Sequence, residues 1–181
     1  MDASQTGLTA TRSENQSATD FAAVDEIDPA LTQAPASSVS YEAHGIRIER
    51  VEVLNAGGKP VNLLQLNSPF SLRFHYSVDH NLNDLRLACN LANHEGIRIS
   101  GQHHSGPDCR AGERFSMQFN FHGGLLPGVY FVSGGIWHSA QPGHFLHRVV
   151  DICAVRIQAK APPRSFGLCD LAAAPPILAY E

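Results

Sequence analysis

Phe70, Leu72, Phe74, Tyr76 and Val78 alternate with Ser71, Arg73, His75, Ser77 and Asp79. A period of two places every apolar side chain on one face of an extended strand. The same period recurs downstream, where Leu85, Leu87, Cys89 and Leu91 alternate with Arg86, Ala88, Asn90 and Ala92. It returns again at Phe115, Met117, Phe119 and Phe121, set against Arg114, Ser116, Gln118, Asn120 and His122. Upstream, Ile46 and Ile48 share one phase and Val51 and Val53 the other. That one-residue slip predicts a β-bulge.

Turn chemistry separates these runs. Asn55-Ala56-Gly57-Gly58-Lys59-Pro60 predicts a turn, followed by a short strand over 61–66, and Asn93-His94-Glu95-Gly96 folds its strand back into Ile97-Arg98-Ile99 as a hairpin. Residues 101–112 read as a polar loop. Pro127-Gly128 predicts a corner from which a strand rich in β-branched and aromatic residues runs over 129–137. Tyr130, two residues past that corner, is placed to bury its ring and return its hydroxyl to loop backbone. A loop over 138–148 and a last strand over 149–158 complete the pattern. No segment of 44–158 has a helical period, and about eight strands separated by turns predict an all-β fold. The expected architecture is an antiparallel immunoglobulin-like or jelly-roll β-sandwich.

The ends differ in composition. Residues 1–43, rich in Ala, Ser, Thr, Gln and Asp, bury too little to offset their ordering entropy and read as a flexible linker. A short helix over 20–27, capped by Ser17 or Thr19 and confined by Pro29 and Pro35, is the one element expected there. The sandwich is expected over 44–159. Residues 160–181 form a Pro-rich arm whose Phe166, Leu168, Leu171, Ile177 and Leu178 suit docking on a sheet edge or a partner chain.

With 181 residues and a formal net charge of −4, the chain has room for one core and lacks the basic field that a nucleic acid or an anionic membrane surface would require. It has no apolar run near the ~20 residues needed to span a bilayer and no secretory leader, so it reads as an unexported protein without membrane insertion. Cys89, Cys109, Cys153 and Cys169 are widely spaced without a C-x-x-C pair. Reduced thiols in a cytoplasmic setting are expected, although an even number leaves one disulfide pairing open.

The polar residues are compatible with three chemistries. His103-His104 precedes Asp108 and Cys109, and His138, His144 and His147 follow Trp137, but neither spacing is that of a compact zinc site; no metal or other cofactor is expected. Asp79, Asp84, Glu95, Asp108, Glu113 and Asp151 sit at strand ends or turns, unpaired in sequence, and no nucleophile elbow, phosphate loop or dinucleotide fingerprint occurs, so no catalytic residue is assigned. A polar sheet face remains, carrying Arg73, His75, Arg86, Asn90, Gln118 and Asn120. Such groups beside an aromatic ring are equipment for a sugar, whose hydroxyls take directional hydrogen bonds and whose C–H face stacks on a ring. Trp137, the only Trp, is open to two roles: a core ring of the sandwich, or a stacking platform.

The strand Ile48 to Asn55 leading to Gly57-Gly58-Lys59-Pro60, the strand Phe70 to Tyr76, the turn Asn93-His94-Glu95-Gly96, the corner Leu125 to Tyr130 with Gly134-Gly135-Ile136-Trp137, and the closing Val155-Arg156-Ile157 occur in a characteristic order. Over 45–158 the chain thereby resembles the C-terminal carbohydrate-binding domain of the ATP-binding subunit of O-antigen polysaccharide ABC transporters, the Wzt C-terminal domain family. The resemblance implies a non-catalytic, frequently dimeric sandwich. It would recognise a lipid-linked O-antigen-type polysaccharide on the cytoplasmic side, at the inner face of the inner membrane, with the transporter's ATPase and membrane subunits as partners. No Walker motif is present, so ATP hydrolysis is not assigned, and the chain reads as an excised binding domain or a stand-alone relative. Family binding residues vary with the glycan; Arg86, Asn90, His103, His104, Trp137 and His138 are the candidates from chemistry. The alternatives are a structural or dimerisation module and, behind it, a small glycan-acting enzyme.

Overall fold

Nine strands form within residues 26–179, the part of the chain that the computed structural model describes. They are β1 (Val39–Ser40), β2 (Ile46–Asn55), β3 (Leu63–Gln65), β4 (Phe70–Val78), β5 (Leu85–Ala92), β6 (Arg98–Ser105), β7 (Arg114–Phe121), β8 (Gly128–His138) and β9 (Phe145–Gln158). One sheet has the order β1-β9-β8-β5-β6, with β3 also on β9, and the other has the order β2-β4-β7. The expected β-sandwich is thus formed. Its pairs are antiparallel except for β3, which runs parallel to β9.

The alternation along β4 and β5 becomes the core. Phe70, Leu72, Phe74, Tyr76 and Val78 face Leu85, Leu87, Cys89 and Leu91, all buried. Burying each large apolar side chain contributes about 1.5–3 kcal/mol, and ring geometry adds specificity, with Phe74 edge-on to Phe119 at 5.7 Å. In β2 the register shifts between Ile48 and Arg50, where the phase slip predicted a bulge. There Ile48 N–H donates across the sandwich to Nδ1 of the buried His147 (2.9 Å).

The Pro-Gly corner also folds as its residues predict. The Tyr130 ring is buried, and its hydroxyl lies 2.6 Å from the Leu126 carbonyl and 3.0 Å from that of Leu168. This ties the arm to the corner. Leu126 N–H donates to Leu168 O, and Asp170 N–H to Gly124 O. Beyond that anchor, Leu171, Ile177 and Leu178 are exposed, as is Phe166 before it.

Three boundaries differ from the sequence reading. The polar stretch after Ile99 is not a loop: β6 continues to Ser105, pairing its backbone with β5 as an exposed edge strand whose side chains need no apolar period. The loop expected over 138–148 is shorter, because β9 starts at Phe145 opposite Trp137, with a register shift at Ile136/Trp137. Part of the expected linker is also structured. β1 pairs with Val149 and Val150, Glu26 bridges Leu63, and Asp28 forms an ion pair with Arg156 at 2.8 Å. Backbone pairing and one charge pair hold this segment, and neither leaves a hydrophobic period to read. The helix expected over 20–27 lies almost wholly outside the described residues.

Candidate functional site

On the outer face of the larger sheet, β6, β5 and β8 lie side by side. Ala88 is opposite Gly135 on one side and His103 on the other, while Asn90 is opposite Gly101. Three small residues on adjacent strands leave a trough where full side chains would otherwise stand. Gly101 is sterically required, since a Cβ there would come 2.8 Å from the Cys89 carbonyl oxygen; a Cβ on Gly135 would come 2.6 Å from Phe145 Cε1 and would displace that ring.

The trough is an open cavity of about 430 Å³. Its rim carries three rings, with Trp137 edge-on to Phe145 at 5.7 Å and tilted against His103 at 6.2 Å. Arg98, Arg148, Asn90 and Gln102 supply polar groups. Arg148 contacts two rings, its guanidinium carbon 5.4 Å from the Phe145 centroid and 5.6 Å from that of Tyr41. Each such contact is worth about 0.5–1 kcal/mol where exposed. No carboxylate lines the cavity. Beneath its floor, burial pushes the Cys89 thiol up to about 12, so it stays protonated at neutral pH.

The arrangement can therefore present ring faces to an apolar C–H surface and forked donors to hydroxyls or an anion. Of the residues singled out from sequence, Asn90, His103 and Trp137 meet here. Trp137 takes the outer face rather than the core. Arg86 shares that face beside Trp137 but donates to Ser105 Oγ at 2.8 Å and is not part of the lining. His104, one residue on from His103, turns to the opposite face and packs against Phe119 at 6.0 Å. His138 closes the end of β8, its Nδ1 3.2 Å from the Asn83 carbonyl. Neither joins the cavity, because alternation sends consecutive strand residues to opposite faces.

The remaining polar candidates lie on the outer face of the smaller sheet and satisfy one another. Arg73 donates to Gln118 Oε1 at 3.0 Å, and Gln118 donates to Ser71 Oγ and Asn120 Oδ1, both at 3.1 Å. His75 pairs with Glu52 at 2.8 Å, and that hydrogen bond holds the Glu52 carboxyl below its ordinary value. Those groups are occupied. Among the described residues no three His, Cys, Asp or Glu side chains gather as a metal site, and all four thiols are free.

A second hollow, of about 410 Å³, lies where the arm crosses the sandwich edge, lined by Phe70, Leu91, Ile99, Phe121, Leu125 and Leu171 among others. It lacks the cavity's cationic groups. Sequence reasoning missed Phe145, Arg148, Arg98 and Gln102. The legible signal is the pair Gly134-Gly135 inside a strand: the register shifts between Val132 and Gly134, and an aromatic ring approaches each glycine closely.

Comparison with known families matches residues 37–171 to the Wzt C-terminal domain. Among solved structures, a crystal structure of the C-terminal domain of Wzt superposes with a TM-score of 0.71 at 14% identity, covering 87% of this chain and 98% of that one. Two looser likenesses each cover 65% of this chain: the CARDB domain of a Pyrococcus furiosus protein in complex with di-metal ions (TM-score 0.37, 9% identity, 97% of that chain) and an immunoglobulin-like protein from Pseudomonas aeruginosa (TM-score 0.33, 11% identity, 100% of that chain). A comparison with curated protein sequences finds no match.

Proposed function

Because this chain belongs to the Wzt C-terminal domain family, a domain of the ATPase subunit of O-antigen ABC transporters, we propose that it binds a polysaccharide in the cavity on its larger sheet and selects it for export. The observation that carries this reading is the cavity itself. Trp137, Phe145 and His103 surround a floor of Ala88, Gly101 and Gly135, with Asn90, Gln102 and two arginines within reach. Stacking on the rings and hydrogen bonds from the forked polar groups hold a glycan without any bond being broken. The lining has neither the carboxylate pair of a glycoside hydrolase nor an activated nucleophile, which favours binding over catalysis. Among the described residues no helix is long and apolar enough to cross a membrane.

An array of bacterial O-polysaccharides, followed by NMR titration of the best binder, tests the site. Resonances of Trp137, Asn90 and His103 should shift, and Trp137→Ala should weaken binding with the fold intact. Absence of any binder, or binding untouched by Trp137→Ala, would overturn the assignment. A second role, self-association, is favoured by the arm, where Phe166 and Ile177 are almost fully exposed at 96% and 95%. Deleting residues 172–181, which spares the Leu168 and Asp170 anchor, should lower the mass in solution to that of a monomer. An unchanged mass would remove residues 172–181 from any dimer contact.

A further inference from the structure

The charge around the cavity is not that of the chain. The protein carries a formal net charge of −4, yet the lining contributes two arginines and no Asp or Glu. Among the described residues neither Arg98 nor Arg148 forms an ion pair or a side-chain hydrogen bond. Arg50, Arg73, Arg86 and Arg156 are engaged, with Glu52, Gln118, Ser105 and Asp28 respectively; Arg47, Arg110, Arg114 and Arg164 have no such partner either, but they do not line the cavity. Arg148 is also held without an anion, its guanidinium over the rings of both Tyr41 and Phe145. Glu42 lines the adjoining hollow with Tyr41, His44 and Arg148, and makes no ion pair with the arginine. A planar cation fixed by two ring faces keeps its N–H edge open, which suits a carboxylate or phosphate and loses little freedom on binding.

We propose that Arg148, with Arg98 across the trough, reads an anionic group on the bound glycan, so that the preferred cargo is a polysaccharide bearing a carboxylate or phosphate. This rests on the glycan reading above and narrows its substrate class. Trp137 and Asn90 hold the sugar ring, and Arg148 sets the preference. Tyr41 lies between β1 and β2 and acts as a positioning residue, since its ring is a second contact for the guanidinium beside that of Phe145.

The test is binding of neutral, uronate-bearing and phosphate-bearing bacterial polysaccharides to the full chain, at 50 and 300 mM salt. Anionic glycans should bind tightest and weaken as salt rises. Arg148→Gln should weaken them about tenfold or more, the scale of one charge-assisted hydrogen bond, and weaken any neutral glycan by a clearly smaller factor. Arg148→Lys should recover only part of the loss, because an ammonium cannot stack as a plane. The uronate and phosphate arms tell which anion is read. Equal affinity for neutral glycans, or an Arg148→Gln protein with unaltered preference, would overturn the proposal while Trp137→Ala still abolished binding. Failure of every polysaccharide to bind would remove both readings together.

Discussion

Gly134 and Gly135 are neighbours in β8 that face opposite ways, and alanine at each should separate stability from binding. Neither has a positive φ, so alanine can adopt either backbone conformation. At Gly134 the added methyl would sit 2.5 Å from Phe74 Cε1 and 3.0 Å from Ile48 Cδ1. Phe74 is fully buried, edge-on to Phe119 and stacked on Tyr76, and has nowhere to turn. Overpacking of this kind costs about 1–3 kcal/mol, and the entropy removed from the unfolded chain returns about 0.4–1 kcal/mol. A net loss of about 1–2 kcal/mol lowers Tm by roughly 2–8 °C for a chain of this size. At Gly135 the methyl would meet only Phe145, at 2.6 Å, whose ring is 39% exposed and free to swing outward. Gly135→Ala should therefore keep or slightly raise Tm. Moving Phe145 displaces a wall of the cavity, and glycan affinity should fall about three- to tenfold, the scale of one aromatic contact. Thermal unfolding and titration calorimetry on both variants decide the matter. Equal destabilisation by the two, or normal binding by Gly135→Ala, would refute the assignment of Gly134 to the core and Gly135 to the site.

Two tyrosines should respond oppositely to loss of the hydroxyl. Tyr130→Phe breaks the hydrogen bonding to Leu126 and Leu168 and should lower stability by about 1–2 kcal/mol. The Tyr76 hydroxyl is buried without a partner, and Tyr76→Phe should stabilise by about 1 kcal/mol; urea midpoints check both, and a destabilised Tyr76→Phe would mean that the hydroxyl has a partner. For His147, burial and then the Arg47 charge hold the imidazole below its ordinary value, so folding favours the neutral ring that accepts from Ile48 N–H. Its contribution is complete above about pH 6.5, the unfolded value, and is lost as pH falls through the depressed folded value. Tm measured from pH 7.5 to 5 should fall less steeply in His147→Gln than in the parent; identical slopes would exclude His147 as the source.

Much of the sandwich was legible because a strand's period of two belongs to the chain itself. The alternations of β4, β5 and β7, the bulge in β2 and the Tyr130 corner all depend on residues near one another in sequence. The structure departs from expectation where that local signal is missing. β6 is an edge strand with mostly exposed side chains, and β1 is held by two register pairs and its neighbours' ion pair. His147 stood in an expected loop and proves to be a buried strand residue joining the sheets.

The candidate site divides in the same way. Asn90, His103 and Trp137 could be chosen from side-chain chemistry, whereas His104 and His138 share that chemistry and lie off the cavity. Phe145 and Arg148 gave no local sign of a role. Trp137 meets Phe145 through the turn between β8 and β9, and Tyr41 reaches Arg148 only because β1 docks beside β9. The sequence alone determined which residues alternate, where the chain turns and that a sandwich would result, since those are properties of neighbouring residues. Which outer face became a cavity was decided by tertiary structure. Cross-strand register aligned Ala88, Gly135 and Gly101 into one floor, and close approach of distant segments placed two rings against one arginine.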